Sequence, residues 1–259
     1  MGKILRVQPK IERRGNKISV SYQDQWLGRV SGGLLVLALT ALFLSSGCIP
    51  AEEPAPPSLP SEIEVKLPEP RYDSGVSIEE TLLKRRSVRD YTGKPLTLPE
   101  VSQLLWAAQG ITDPQGFRTA PSAGATYPLE TYVVVGDVEN LTEGVYRYKS
   151  AEHKLVKVLD GDYRAQLAGA ALGQRMVKEG AVNIVFTAIY ERTTRRYGDR
   201  GIRYVHMEVG HAAQNVYLQA VALGLGTVVV GAFSDDQVRE ILKLPEDEQP
   251  LYIIPAGRR

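Results

Sequence analysis

A stripe of apolar residues in the last quarter of the chain constrains the fold more than any other feature. The stripe recurs every three or four residues, which is the period of one face of an α-helix, and it predicts a long buried helix that begins near Gly201. Gly224–Gly226 ends this helix, and Gly210 within it permits the close approach of another backbone. The stripe consists of Ile202, Val205, Val209, Ala212, Val216, Ala220 and Leu223.

Short apolar runs predict the strands that cover this helix. Two further helices begin with capping boxes, at Ser77–Glu80 and at Thr97–Glu100, and the second ends at Gly110. The pattern predicts an α+β fold with a mixed central sheet of four or five strands packed by helices. The predicted strands are Thr131–Val135, Val145–Tyr148, Leu155–Val158, Asn183–Tyr190, Thr227–Val230 and Leu251–Ile254, and the remaining helices are Tyr163–Leu172 and Ser234–Leu242.

A cluster of arginines directly follows the helix that begins at Ser77. Arg85, Arg86 and Arg89 surround Ser87 within five residues. Guanidinium groups are always charged, and their planar donors match phosphate oxygens, so the cluster is a candidate phosphate clamp for a cofactor or nucleotide. A solvated basic helix end, which the helix dipole favours, is the alternative interpretation.

Charge is distributed unevenly along the 259 residues, although the net charge is only +1. Seven of the 31 Lys and Arg and two of the 30 Asp and Glu lie in residues 1–47, which leaves 24 basic and 28 acidic residues beyond that point. A mildly acidic body argues against nucleic acid as the main partner. The single cysteine excludes an intrachain disulfide and a cysteine-based zinc site.

The amino-terminal segment resembles an export signal. Leu34–Leu44 is an apolar run of eleven residues, preceded by a basic stretch and followed by small residues and Cys48. The run is shorter than a membrane span and has the length of a signal-peptide core. The segment therefore resembles a lipoprotein signal with Cys48 as the lipidation site, although its basic leader is unusually long. An uncleaved anchor that spans Val30–Ile49 is the alternative.

These features divide the chain into three parts. Residues 1–48 are the leader or anchor, and residues 49–73 are a Pro- and Glu-rich tether that builds no core. Residues 74–259 are the folded domain. Both interpretations of the leader predict a membrane-tethered domain on the extracytoplasmic side.

Other chemistries are set aside on spacing. Gly224, Gly226 and Gly231 follow a helix and open a strand, which reverses the order of a dinucleotide fingerprint. His206 and His211 are five residues apart, which places them on different faces of a helix, and no metal site is predicted. The chain has no Gly-x-Ser-x-Gly elbow, and its only cysteine lies at the signal boundary, so serine-elbow and thiol catalysis are not expected.

Five segments occur in the order found in one known family. They are Arg85–Arg89, Ala120–Pro128, Arg196–Tyr204, Gly210–Asn215 and Ala222–Gly226. Together they resemble the FMN-dependent nitroreductase family, specifically its SagB/ThcOx-type dehydrogenase branch, over about residues 77–257. The resemblance implies a nitroreductase-like fold, bound FMN, and a homodimer with its cofactor sites at the interface.

The resemblance also implies cofactor contacts along the first half of the domain. The arginine cluster matches the family's flavin-phosphate and ribityl motif, in which a serine serves a ribityl hydroxyl. The loop after it matches one that, in the family, reaches the isoalloxazine ring from the partner subunit. These cofactor-binding candidates are Arg85, Arg86, Ser87, Arg89, Pro121, Ser122, Ala123 and Gly124.

Further contacts are implied in the second half. Gly231 and Ala232 end a strand in small residues, where the family places backbone N–H groups against the flavin N5 and O4 edge. Gln174 and Arg175 match a second polar contact by position. Arg258 substitutes for the family's C-terminal basic residues at the phosphate or belongs to a solvated tail, and the sequence leaves these alternatives open.

Arg196 and Tyr197 stand where the azoline-oxidising branch usually has a Lys-Tyr pair. Arginine is not a general base at ordinary pH, so a lysine-base mechanism does not transfer, whereas Tyr197 is able to donate or accept a proton. The sequence thus predicts an FMN-dependent oxidoreductase that passes hydride between a small organic substrate and flavin N5. The alternatives are a flavin- or ligand-binding lipoprotein without turnover, and a structural role for the arginine cluster at a dimer contact without flavin.

Overall fold

A computed structural model describes residues 10–14, 17–21 and 63–259 of the chain. The chain divides into two compact units, Met1–Pro56 and Pro57–Arg259. In the first unit, strand β1 (Lys10–Arg14) pairs antiparallel with β2 (Lys17–Ser21). The predicted signal core, Cys48 and residues 49–62 of the predicted tether lie outside the described residues. Within the described ranges, no helix has both the length and the apolar character needed to cross a membrane.

The described part of the second unit, residues 63–259, contains nine strands, seven helices and one 3₁₀ turn at Ala123–Ala125. The strands are β3 (Glu64–Lys66), β4 (Leu96–Thr97), β5 (Leu129–Val135), β6 (Val138–Glu139), β7 (Gly144–Lys149), β8 (Lys154–Asp160), β9 (Val182–Ala188), β10 (Leu225–Thr227) and β11 (Gln249–Arg258). The helices are α1 (Ile78–Lys84), α2 (Leu98–Gln109), α3 (Arg164–Ala170), α4 (Arg175–Glu179), α5 (Glu191–Tyr197), α6 (Arg200–Ala222) and α7 (Asp235–Leu242).

Seven of these strands form one sheet in the order β10-β11-β9-β5-β7-β8-β3. Every pairing in this sheet is antiparallel, whereas β4 and β6 form a separate parallel pair. The α+β class is confirmed. The predicted mixed sheet of four or five strands is too small, because β3 and β10 are three-residue edge strands that carry no long apolar run.

Helix α6 covers one face of this sheet and also packs against α1, α2 and α5. Five positions of the predicted stripe are buried, but Ile202 is 44% exposed. The predicted close backbone approach occurs at Gly201, where an added Cβ would lie 2.9 Å from the Thr194 backbone, and not at Gly210, where it would meet nothing within 4 Å of the described chain. The buried stripe positions are Val205, Val209, Ala212, Val216 and Ala220.

The folded domain begins earlier than the sequence indicates. Strand β3 pairs with β8, and Leu67 beside it is only 1% exposed. The carbonyl of Pro68 accepts a hydrogen bond from Ser102 Oγ, which also lies 2.8 Å from His153 Nε2. The prediction of a tether without core contacts is therefore wrong for this part of residues 49–73. A high proline content limits helices and central strands, but it leaves a three-residue edge strand free to pair.

The last strands also differ from their predicted bounds. Strand β10 begins at Leu225 and ends at Thr227, which is the first residue of the predicted strand Thr227–Val230. The rest of that predicted strand pairs with the sheet only through a single bridge between Val230 and Ile253. Strand β11 continues through Pro255–Gly257 to Arg258. Proline and glycine are typical of strand ends, but here both neighbours, β9 and β10, hold the backbone in register.

Two glycines opposite each other in β10 and β11 position the arginine cluster. Gly226 pairs with Gly257, and the chain after α1 crosses both. A Cβ on Gly226 would lie 2.7 Å from Val88, and one on Gly257 would lie 2.8 Å from Tyr91. The Val88 N–H donates to the Thr227 carbonyl at 2.9 Å, so the segment is fixed by packing and by a backbone hydrogen bond. Small residues here let residues 85–91 lie directly on the sheet.

Gly257→Ala should therefore lower the free energy of unfolding by about 1–3 kcal/mol, the usual cost of overpacking, because the new methyl overlaps the rigid ring of Tyr91. Thermal or urea unfolding measures this change. The control is Gly210→Ala on α6, where the same methyl meets open space and the better helix propensity of alanine raises stability by up to about 1 kcal/mol. Equal effects of the two substitutions would contradict this packing account.

Candidate functional site

Tyr217 of α6 joins the arginine cluster to the chain that follows β10. The Arg85 guanidinium lies over the Tyr217 ring, 5.1 Å from its centroid. The Tyr217 hydroxyl accepts a hydrogen bond from the Val229 N–H at 2.9 Å and lies 3.0 Å from Ser87 Oγ. Because a phenol both accepts and donates, one hydroxyl fixes Ser87 and Val229 relative to each other. Sequence reasoning missed Tyr217, which lies one residue beyond the stripe position Val216 and carries no signal of its own.

The remaining arginines of the cluster have different environments. The Arg86 guanidinium turns back and donates to the carbonyls of Leu83 and Arg85. Cations at a helix C-terminus satisfy its unpaired carbonyls, so Arg86 fits the alternative interpretation of a basic helix end. Arg89 is exposed, although its neighbours Val88 and Tyr91 pack on the sheet. Arg85, Ser87 and Arg89 are thus the members of the cluster available to an anion.

A short exposed turn follows the strand residues next to this cluster. Gly231 and Ala232 are exposed, and their neighbours are fixed, since Val230 donates to Ile253 and Ser234 donates to Ala170. Within residues 63–259, no acceptor is found for the N–H groups of Gly231 and Ala232. Two adjacent backbone N–H groups therefore lie in an exposed turn, two and three residues after Val229, whose amide Tyr217 binds.

Gln174 supports this turn from behind. Its Nε2 donates to the Ala232 carbonyl and to the Ala171 carbonyl, both at 3.0 Å. Sequence analysis predicted Gln174 as a cofactor contact, and the structure brings it to the turn, where both of its N–H donors serve the backbone. Within residues 63–259, no donor to its side-chain carbonyl oxygen is found, and the contact of Gln174 with a cofactor stays a prediction.

Arg175 and Arg258, two further predicted cofactor residues, form ion pairs. Arg175 binds Asp90 and Glu179 on the surface, which ties α4 to the chain after the arginine cluster. Arg258 NH2 lies 2.8 Å from a carboxylate oxygen of Glu100, the residue that completes the capping box of α2. Both guanidinium groups stabilise local structure, and their contact with a cofactor stays a prediction.

The predicted loop and the predicted catalytic pair form a second cluster. Arg196 of α5 donates to the Gly124 carbonyl at 3.2 Å. Gly124 has φ +61°, and a Cβ there would lie 2.5 Å from the Tyr197 hydroxyl, so this position requires glycine. The Tyr197 ring packs edge-on against Tyr204 of α6, with 5.1 Å between the centroids. Pro121–Gly124 and the pair on α5 are therefore in direct contact.

The two clusters lie along one helix but do not merge. The first is organised around Tyr217, and the second packs near Glu208, nine residues earlier on α6. Nine residues correspond to about 14 Å of helix axis. Within the described residues of one chain, the arginine cluster and the Pro121–Gly124 loop are thus separate surfaces.

Glu208 is a buried carboxyl that sequence reasoning also missed. It is 3% exposed, and burial raises its pKa to about 7, although a hydrogen bond with Ser122 and the charge of Arg118 oppose this shift. Glu208 lies three residues after Val205 and four residues before Ala212, so Glu208 itself occupies a position on the apolar stripe of α6. A charged residue at an apolar stripe position was the signal available in the sequence.

Two cavities in the domain lie apart from both clusters. They have volumes of about 530 and 570 Å³, they share Tyr72 and Trp106 in their walls, and neither is lined by a predicted site residue. The predicted site residue Arg258 lines a smaller cavity of about 50 Å³ together with Tyr91. Among residues 63–259, no group of three or more His, Cys, Asp or Glu gathers at metal-binding distance.

The fold and the two clusters define an α+β enzyme domain, and comparison with known proteins identifies its family. The model of the nitroreductase family matches residues 82–258. A protein of Methanocaldococcus jannaschii described as a nitroreductase is 54% identical over 197 residues, which are 76% of this chain and 97% of that protein. The chain therefore belongs to the nitroreductase family and is an oxidoreductase of that family.

Two further comparisons bear on the fold and the branch. The crystal structure of a nitroreductase from Anabaena variabilis superimposes with a TM-score of 0.68 at 34% identity, covering 77% of this chain and 42% of that chain. The microcin B17-processing protein McbC of Escherichia coli is 29% identical over 160 residues, and the match spans 58% of each protein.

Tyr217→Phe should destabilise the first cluster, because the Val229 N–H loses its acceptor in a half-buried position. The expected loss is about 1–2 kcal/mol in the free energy of unfolding, with faster hydrogen exchange at the Val229 amide. Tyr204→Phe, on the same helix, removes a hydroxyl without a hydrogen-bond partner in the described chain and should change stability by less than about 0.5 kcal/mol. Unchanged exchange at Val229 in Tyr217→Phe would contradict the assignment.

Proposed function

We propose that this protein is an FMN-dependent oxidoreductase of the SagB/ThcOx type or a nitroreductase. The observation that carries the proposal is the first cluster, in which Arg85 and Ser87 are held by Tyr217 beside the free amides of Gly231 and Ala232. A guanidinium group, a hydroxyl and two neighbouring backbone N–H donors are suited to a ligand that has a phosphate group, hydroxyl groups and a ring with polar atoms on its edge. The donor set present therefore fits FMN.

Each group has a distinct task in this proposal. Arg85 and Arg89 bind the phosphate dianion through charge-assisted hydrogen bonds. Ser87, oriented by Tyr217, binds a ribityl hydroxyl. The N–H groups of Gly231 and Ala232 would bind the ring edge on which negative charge develops, and the only side chain there is the small methyl group of Ala232. When bound, FMN supplies the hydride chemistry at N5, and the protein supplies position and electrostatics.

The separation of the two clusters supports a homodimer. The loop Pro121–Gly124 contacts Arg196 and Tyr197 of its own chain but lies apart from the arginine cluster of that chain. In the proposed dimer, this loop completes the flavin site of the other subunit. Arg196 then positions the loop through the Gly124 carbonyl, and Tyr197 is the side chain able to exchange a proton with a substrate.

The substrate in this proposal is a small organic molecule. The resemblance to the SagB/ThcOx-type dehydrogenase branch favours dehydrogenation of a substrate ring, and the likeness to McbC, named for microcin processing, favours a processing role. Likeness to nitroreductases supports reduction of a nitro compound or quinone. Oxidation of the reduced bound flavin by a quinone or nitro compound would support an enzyme. Flavin that binds but is not turned over by any substrate would support the alternative of a flavin-binding lipoprotein.

The double variant Arg85→Ala, Arg89→Ala should weaken FMN binding by about 10²–10⁴-fold, because two charge-assisted contacts to the phosphate are lost. Riboflavin, which has no phosphate, should bind both proteins about equally. Quenching of flavin fluorescence on titration measures both affinities.

Arg195→Ala is the matched control for this variant, since Arg195 pairs with Glu191 on α5 and lies outside both clusters. It should leave both affinities unchanged. Equal losses of FMN and riboflavin in the double variant would overturn the phosphate-clamp assignment.

For the residues before the domain, we propose that Cys48 carries a lipid and tethers the domain outside the cytoplasmic membrane. The support is the apolar run before the single cysteine. Mass spectrometry of the membrane-bound protein should find a mature amino-terminal peptide that begins at Cys48 and carries acyl chains, and Cys48→Ala should abolish this peptide. An intact, unmodified peptide across Val30–Ile49 in the wild-type protein would favour the uncleaved anchor instead.

A further inference from the structure

A further cavity of the domain is lined by no residue of either cluster. Its volume is about 290 Å³, and residues of α2, β5, β7 and α5 contribute to its walls. Leu129 and Thr131 of β5 and Tyr148 of β7 are at most 4% exposed, whereas Ala151 and Glu152, which follow β7, are exposed. Small-molecule sites in proteins begin at about 300 Å³. The cavity therefore has buried and exposed walls and the size for a small ligand.

Basic side chains outnumber acidic ones in the walls of this cavity. Four lysine or arginine residues and two glutamates line it. Glu248 is 1% exposed, and its Oε1 lies 3.2 Å from Nη2 of Arg147, so it offsets one further positive charge. One positive charge is left over, which favours an anionic ligand. The basic residues are Arg118, Arg147, Lys149 and Arg192, and the acidic residues are Glu130 and Glu152.

Two of the three arginines in the walls already bind a carboxylate of the protein. The Glu130 carboxylate lies 3.0 Å from Nη2 of Arg147 and 2.6 Å from Nη2 of Arg192. Arg118 forms no ion pair within residues 63–259. Its guanidinium lies over the Tyr127 ring, 4.6 Å from the centroid, and only its Nη1 has an acceptor in that range. The donors on Nε and Nη2 of Arg118 are therefore available to a ligand.

Gln109, which accepts the hydrogen bond of Arg118, is a buried side chain with a donor left over. It is 1% exposed, and its Oε1 lies 2.8 Å from Nη1 of Arg118. Its Nε2 has no hydrogen-bond partner in the described chain. The amide cannot turn over, because Nε2 would then face a guanidinium donor. A buried N–H group without an acceptor is costly, so Gln109 gains from a ligand that accepts.

The charge of Arg118 is also incompletely compensated. Burial lowers the pKa of this guanidinium from its ordinary value, although the negative charges of Glu130 and Glu208 oppose the change. Arginine nevertheless stays charged in proteins. A partly buried cation that lacks an ion-pair partner is stabilised by an anion that binds beside it.

We propose that this cavity binds a small molecule through a carboxylate group, with Arg118 and Gln109 as the binding residues. The guanidinium fork matches the two oxygens of a carboxylate, as it does for Arg147 and Arg192 in the same walls. Gln109 supplies a neutral donor bonded to that fork. Lys149, which has no ion pair in the described part of the chain, adds a second positive charge to the walls. The proposal does not depend on flavin binding.

The site is next to the loop that contains Ser122. Arg118 lies over the Tyr127 ring, and Nη1 of Arg192 donates to the Tyr127 carbonyl at 3.0 Å. The Tyr127 N–H in turn donates to Ser122 Oγ at 2.9 Å. Two cavity residues thus hold one end of the loop. A ligand that binds Arg118 should therefore shift the amide resonance of Tyr127.

Calorimetric titration of the full-length chain in detergent with succinate tests the proposal. Succinate should bind with a dissociation constant of about 0.1–10 mM, and succinamide, which has the same skeleton without charge, should not bind. Arg118→Ala should weaken succinate binding by about ten- to 100-fold, because a charge-assisted contact is lost. Gln109→Glu keeps the side-chain shape and supplies Arg118 with a carboxylate, so it should weaken succinate binding at least tenfold even if Arg118→Ala does not fold.

Two controls locate the binding. Arg195→Ala removes a surface guanidinium outside the cavity and should leave succinate affinity unchanged. The double variant Arg85→Ala, Arg89→Ala should also leave it unchanged, since these residues do not line the cavity.

Several outcomes would overturn the proposal. One is the absence of succinate binding to the wild-type chain at about 20 mM. Another is succinate binding that survives Arg118→Ala and Gln109→Glu but is lost in the double variant, which would place the anion at the arginine cluster. Equal affinity for succinamide, or tighter Arg118-dependent binding of inorganic phosphate, would refute the carboxylate assignment. Loss of flavin binding alone would refute the proposed function and leave this site unaffected.

Discussion

The contact of Val88 and Tyr91 with the paired glycines of β10 and β11 is the constraint on which the first cluster depends. Gly226 and Gly257 leave room for the chain after α1 to lie on the sheet, and the Val88 amide is bonded to the Thr227 carbonyl. Because residues 88–91 are fixed in this way, Arg85 and Ser87 meet Tyr217 at a defined place. A flexible basic tail would not hold a guanidinium, a hydroxyl and a backbone turn at fixed positions relative to one another.

Helix α6 connects this cluster to the rest of the domain. Its apolar face covers the sheet, Tyr217 contacts Ser87 of the arginine cluster, and the helix also contacts the turn Ala123–Ala125. One rigid helix thus supports both clusters at positions about 14 Å apart. The two clusters are therefore separate surfaces on a single chain, which is why the proposed function includes a second subunit.

Much of the framework was predictable because it rests on local rules. The capping box of α2 is present with both of its hydrogen bonds, α6 ends before Gly224 as predicted, and the β7–β8 hairpin pairs as expected. The rest depends on tertiary contacts that a sequence pattern does not encode. Strand β3 and the continuation of β11 through Pro255–Gly257 exist because neighbouring strands hold them.

The candidate site likewise has parts that local motifs predict and parts that depend on tertiary contacts. The motifs singled out the arginine cluster, the loop and the exposed turn, and their contact with a cofactor stays a prediction. Tyr217, the residue that joins Arg85 to Val229, carries no local signal. Glu208 did carry a signal, since an acidic residue on an apolar stripe is unusual, but its burial depends on tertiary packing that the stripe alone does not encode. Arg258 likewise forms an ion pair with Glu100, a residue that lies far from it in the sequence.

The central claim is that the first cluster binds FMN, and the visible spectrum of purified residues 51–259 tests it most directly. The account predicts flavin absorption bands, with the chromophore released on denaturation and identified as FMN by its mass. A colourless protein that also fails to take up added FMN would contradict the claim and return Arg85 and Arg89 to the interpretation of a solvated basic helix end.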